Sequence, residues 1–228
     1  MVATVLLAAC GAQSVSPAMG VVSFPELQEP AATQAPTAPP TAPPTSAAAQ
    51  GRAYVPSGGG TYHPAPPRYP LVAHFDAPSV GVHLPVVAVG IVRGAMEAPE
   101  GPLGSAFWRE GFWLRQGVVP GMPGTATIAG HLDDTAGRPA AFWNIRNLRS
   151  GDEVTVTRVS DGAVLRFRIV ETDVWTLAQA NTAANLHRIY GDGTASDGVS
   201  RLSLITCTGR WVNGEYDHRF VAFAELET

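Results

Sequence analysis

The stretch Arg201-Leu202-Ser203-Leu204-Ile205-Thr206-Cys207, RLSLITC, runs on into Thr208 and Gly209 and has the composition of a mostly buried β-strand that stops on a cysteine. A thiol in such a place is either inert filling or a nucleophile. Working outward, the neighbouring runs have the same character. GVHLPVVAVG (81–90), TATIAGH (125–131), EVTVTRV (153–159), AVLRFRIVETDVW (163–175) and RFVAFAEL (219–226) all read as strands separated by Gly, Pro, Asp and Asn. In the fourth of these, Leu165, Phe167 and Ile169 alternate with Arg166 and Arg168, the period of a half-buried strand, and Asp161-Gly162 ahead of it is a hairpin turn signal. Between TATIAGH and EVTVTRV, the segment AAFWNIRNLRSGD is expected to hold a helix of two or three turns with Phe142, Ile145, Leu148 and Arg149 on one face. Short strands at this spacing, with few helices, argue for an all-β barrel or sandwich.

Length and composition set the frame. The chain has 228 residues, 45% of them apolar and 15% charged, enough for one core of about 150 residues with appendages. A net charge of −4, with no run of Lys or Arg, leaves no electrostatic footprint for nucleic acid or anionic lipid head groups. From Pro30 to Pro67 lie ten of the twenty prolines and a single charged residue, Arg52. Such a segment favours extended polyproline conformations and reads as a linker, able to hold a domain on the order of 100 Å from its anchor. The expected organisation is a leader over 1–10, a Pro/Ala/Thr-rich linker over 11–69 and a folded domain over 70–228.

Cys10 closes the apolar run MVATVLLAAC, which is far shorter than the roughly 20 residues that span a bilayer. Small residues precede the cysteine, as a signal peptidase requires, and the run resembles a bacterial lipobox. That places the chain outside the cytoplasm, attached at its N-terminus to the outer face of the cell membrane by a lipid on Cys10 or by a signal anchor. Although two cysteines in an exported protein ordinarily suggest a disulfide, the leader setting of Cys10 argues against one with Cys207.

A cysteine nucleophile needs a base or ion-pair partner, since a free thiol with a pKa of about 8.5 is mostly protonated at neutral pH. His131 ends TATIAGH, after a glycine and ahead of the polar loop LDDTAGRP, and so is expected at the rim of the sheet. Cys207, ending its own strand, is expected at a rim too. Attack on a carbonyl also requires a donor for the oxyanion, and Arg219 opens the last strand twelve positions after Cys207, close enough for an antiparallel return to pair them. Singly, each residue has an ordinary structural reading: a packed cysteine, a hydrogen-bonded histidine, a solvated arginine.

Taken together, TATIAGH, FWNIRNLRSGDEVTV, LSLITCTG and YDHRFVAF resemble the sortase family, and GHLDD with LITCTG and the following arginine looks most like its class E/F members. The resemblance runs from about Pro70 to Leu226. It implies an eight-stranded β-barrel with one or two short helices, the cysteine at the end of the seventh strand and the arginine in the eighth. It also implies the roles: Cys207 attacks the Thr–Gly carbonyl of an LPXTG- or LAXTG-type sorting motif, His131 is its acid/base partner, Arg219 steadies the oxyanion or substrate backbone, and Thr206 is a supporting, substrate-positioning residue. The partners implied are surface proteins with a C-terminal sorting motif and an amine acceptor, either a peptidoglycan precursor or a pilin lysine. The chain departs from the family at Ala77-Pro78-Ser79-Val80-Gly81-Val82, where many relatives read IPSIGV, and in having a lipobox-like run where a transmembrane helix is usual.

No cofactor is expected. GDGTASDG (191–198) fails the calcium-loop spacing, and one domain cysteine with scattered histidines makes no zinc set. The long connection 176–200 is expected to shape the peptide groove, and Phe107, Trp108, Phe112 and Trp113 are expected to pack against the barrel. Two competing readings are a non-catalytic surface scaffold with the same fold and an L,D-transpeptidase. The latter's usual His-Gly-Cys arrangement is lacking in LITCTGR.

Overall fold

The computed structural model describes residues 69–191 and 197–227. The leader and linker expected over 1–69 lie almost entirely outside the described residues. Among the described residues ten strands form in chain order: β1 (Leu71–Ala77), β2 (Val82–Val89), β3 (Ile91–Val92), β4 (Ala95–Met96), β5 (Gly111–Leu114), β6 (Gly124–Gly130), β7 (Glu153–Arg158), β8 (Val164–Thr176), β9 (Ser200–Val212) and β10 (Glu215–Leu226). Eight of them close into a barrel in the order β1-β2-β5-β6-β9-β10-β8-β7, while β3 and β4 form a separate hairpin. The expected eight-stranded barrel is therefore the fold.

Strand alternation explains how one sequence serves two packed faces. Phe75, Leu84, Val86, Ile128, Val154, Val156, Phe167, Leu202, Leu204 and Phe220 belong to one buried cluster drawn from nearly every barrel strand, which makes it the barrel interior. Val87, Phe112, Ala129, Ile205 and Val221 point the other way and form a second cluster with Leu186 and Ile189. Those last two come from α2 (Ala183–Tyr190), which follows α1 (Leu177–Ala180). The connection 176–200 is thus partly helical. Thr176 and Gln179 form a reciprocal capping box at α1, and the Thr182 hydroxyl accepts from the Asn185 amide at α2. The β7–β8 hairpin turns at Asp161-Gly162 as expected, with Gly162 at φ 69°.

Several elements differ from the sequence expectation. The segment after His131 forms a 3-10 turn over Asn144–Asn147, not a helix of two or three turns. Phe142, Ile145 and Leu148 are still buried together, because an i, i+3 spacing suits a three-residue turn as well as an α-helix, while Arg149 is exposed. Strands β1 and β5 lack a clean apolar signal: HFD interrupts the first, and the aromatics of the second resemble a packing patch. β9 continues to Val212 and β10 begins at Glu215, so Cys207 and Arg219 lie within a long hairpin and not at strand ends.

Candidate active site

Strand register brings the three candidate residues together. In the antiparallel β9–β10 ladder Arg219 stands directly opposite Cys207. In the parallel β6–β9 ladder Ala129 pairs with Ile205, so two residues further along both strands His131 comes beside Cys207. All three occupy odd positions in register with Ala129, Ile205 and Val221, which puts them on the outer face, the one that α2 covers. Thr206 points to the other side, where its hydroxyl donates to the Gly130 carbonyl at 2.9 Å. That bond ties the last residue of β6 to β9 immediately before His131, so Thr206 holds the two strands in register.

The site is buried. His131 is 3% exposed, Arg219 1% and Cys207 fully buried, where a rim position was expected. The His131 Nε2 lies 2.9 Å from the Pro99 carbonyl, and since a carbonyl only accepts, Nε2 carries the proton there. Trp108 and Phe112 enclose the imidazole, with ring centroids 4.8 and 5.3 Å away. Two of the four aromatics expected to pack against the barrel therefore also flank the histidine; the signal in the sequence is their position before and within β5, the antiparallel neighbour of the histidine's strand.

Glycine is required just before His131. A Cβ on Gly130 would lie 2.5 Å from Cγ of the buried Phe142 ring. At Gly209, two residues past the cysteine, φ is +88° and a Cβ would lie 2.2 Å from an Asp217 carboxylate oxygen. These contacts explain the small residues flanking both candidates.

Arg219 is held by its own hairpin. One terminal nitrogen donates to the carbonyls of Tyr216 (2.8 Å) and His218 (3.0 Å), and the other faces Glu215 at 3.8 Å. Burial pulls its pKa below the ordinary guanidinium value, with Glu215 and Tyr190 acting the other way. Around Cys207 sit Leu132, Ala98, Trp143 and Tyr216. The Tyr216 hydroxyl donates to Asp133, linking the loop after His131 to the β9–β10 hairpin, and this phenol is pushed up to about 12, first by burial and then by that bond.

No group of three or more metal-binding side chains occurs among the described residues.

The family model for the sortase domain matches residues 75–227. The chain belongs to the sortase family. Sortases are cysteine transpeptidases, generally at the cell surface. Among curated proteins none matches this sortase by sequence. Similar solved structures include sortase A from Corynebacterium diphtheriae, at 18% identity and a TM-score of 0.49, covering 71% of this chain and 62% of that one. A Clostridium perfringens sortase D5 transpeptidase shows 22% identity and a TM-score of 0.47 over 69% of this chain and 79% of that one. Listeria monocytogenes sortase A shows 23% and 0.47 over 69% and 88%. This sortase thus spans under two thirds of the Corynebacterium chain. No helix among its described residues is long and apolar enough to cross a membrane.

Proposed function

We propose that this sortase is a class E/F-like, extracytoplasmic cysteine transpeptidase that cleaves an LPXTG- or LAXTG-type motif between Thr and Gly and transfers the acyl part to an amine. The observation that carries this reading is the register of three adjacent strands, which sets His131, Cys207 and Arg219 side by side on one face.

The chemistry follows from those groups. Its thiolate attacks the threonine carbonyl carbon, and the developing oxyanion is stabilised by the Arg219 guanidinium. The C–N bond then breaks as His131 gives its proton to the leaving glycine amine, leaving a thioacyl enzyme. An incoming amine attacks that thioester and loses a proton to His131, and the new amide departs as the Cys207 thiolate is regenerated. The donors are surface proteins with a C-terminal sorting motif; the acceptor is a peptidoglycan precursor or a pilin lysine. A lipid on Cys10 or a signal anchor, with the linker over 11–69, attaches the catalytic domain over 70–228 to the membrane.

The test is turnover of fluorogenic LPXTG and LAXTG peptides by the full chain, with and without triglycine, beside Cys207→Ala. Turnover that Cys207→Ala abolishes, with a ligated product when triglycine is present, is expected. An unreactive Cys207 thiol and no turnover would instead identify a barrel serving as a surface scaffold.

A further inference from the structure

The loop after His131 and the β9–β10 hairpin meet at a bond that the mechanism above does not use. Asp133, two residues past His131, is half-buried, and its carboxylate accepts from the Tyr216 hydroxyl. Burial and then that bond push the phenol up to about 12, so at neutral pH Tyr216 is the donor and Asp133 the acceptor. Tyr216 in turn packs on the cluster of Leu132 and Cys207, so the carboxylate is held one side chain away from that pair.

The partner of Asp133 sets it apart from the carboxylates around it. Asp134 is bound by Arg138 at 2.7 Å, Asp217 by His218 at 2.6 Å and Arg210 at 3.3 Å, and Glu215 faces Arg219 at 3.8 Å. Asp133 is met by a neutral hydroxyl, at one oxygen. The Arg146 guanidinium, which acts on the Tyr216 phenol, lies over the Trp143 ring at 4.3 Å. A carboxylate offers about four lone-pair sites over its two oxygens, which leaves room for an N–H donor.

The direction of the strands says which substrate would meet it. β6 and β9 run parallel, so both pass the level of His131 and Cys207 and continue the same way, toward Asp133 and the hairpin. The connection 176–200, expected to shape the donor groove, is tied to the same strands four residues earlier, where the Ile189 carbonyl accepts from the Thr127 and Ser203 hydroxyls at 2.7 and 2.6 Å. A peptide whose acyl half lies along that connection has its amine half on the Asp133 side of the sulfur.

We infer that Asp133 binds the acceptor, its carboxylate pairing with the ammonium group that an amine carries at neutral pH. This rests on the sortase reading above and names a contact to the second substrate. Tyr216 is the positioning residue for that carboxylate. The bound ammonium gives one proton to water, which exposes its lone pair; the amine then attacks the thioester carbon, a second proton passes to His131, and the C–S bond breaks to return the thiolate. The contact reads only a charge, so a peptide α-amine and a lysine both satisfy it.

The experiment measures, for the full-length wild type, Asp133→Asn and Cys207→Ala, the KM of two nucleophiles in the ligation of a sorting-motif peptide. Triglycine amide is a cation at neutral pH, and hydroxylamine is uncharged. Asp133→Asn keeps an oxygen for Tyr216 and loses the charge; its KM for triglycine amide is expected to rise about tenfold, with no matching rise for hydroxylamine. In the wild type itself, added salt is expected to raise the KM of triglycine amide and not that of hydroxylamine. A triglycine amide KM within twofold of wild type, an equal loss with both nucleophiles, or the same salt response for both would overturn the inference and leave the sortase reading intact. Absence of Cys207-dependent turnover in the wild type would overturn both.

Discussion

Substitution of Gly130 by alanine isolates the fit that places His131. Gly130 has no positive φ, so alanine suits its backbone, and restricting the unfolded chain would by itself stabilise by about 0.4–1 kcal/mol. Against that, the new methyl would stand 2.5 Å from Phe142 Cγ and 2.6 Å from Cδ1. Phe142 is fully buried and packs on Phe75 at 5.9 Å between ring centroids, so it has little room to yield. Overpacking of this kind costs about 1–3 kcal/mol, and a domain of this size then loses about 3–10 °C in thermal midpoint. Because the Phe142 amide donates to the His131 carbonyl at 2.9 Å, displacement of Phe142 reaches the histidine backbone, and peptide turnover is expected to fall with stability. The assay is a double-mutant cycle with Phe142→Ala, read by chemical denaturation. In the Phe142→Ala background the clash is gone, and Gly130→Ala is expected to be neutral or stabilising. Additive costs of the two substitutions, or a Gly130→Ala protein as stable and active as wild type, would refute the reasoning.

Other perturbations test separate parts of the site. Thr206→Val removes the hydroxyl that ties β9 to Gly130 and is expected to cost about 1–2 kcal/mol in denaturant titration, with lower kcat. Arg219→Lys retains a charge but loses the planar group that reaches two carbonyls and faces Glu215, and is expected to lower kcat about 100-fold with KM little changed in steady-state kinetics. Tyr69 and Tyr216 are both pushed up to about 12, first by burial, so ultraviolet titration should show two phenols ionising well after exposed tyrosines. The neutral phenols are favoured by folding, so their contribution is complete below about pH 10 and is lost as the pH rises through about 12. At the other extreme, the His218 hydrogen bond and then the Arg210 amide hold Asp217 down to about 2, so its contribution is present above the ordinary carboxylate range and is lost as the pH falls toward 2. Carbon-13 chemical shifts of the Asp217 carboxyl would follow that titration.

The local grammar of the fold is written in short stretches of the chain. Alternation in β8, the Asp161-Gly162 turn and the motifs around His131, Cys207 and Arg219 are all short-range patterns, so an all-β chain with a histidine, cysteine and arginine near strand ends is legible in the sequence. The remaining features depend on contacts between residues far apart in the chain. The parallel β6–β9 register that sets His131 beside Cys207 joins segments more than seventy residues apart, and Gly130 is required only because Phe142 folds back over it. The roles of Trp108 and Phe112 beside the imidazole, of Thr206 as a tie between strands, and of α2 on the outer face of the barrel arise in the same way. Phe142, Ile145 and Leu148 show the limit most directly: their spacing suits an α-helix and a 3-10 turn equally, so it does not choose between them, and both would bury the three side chains together.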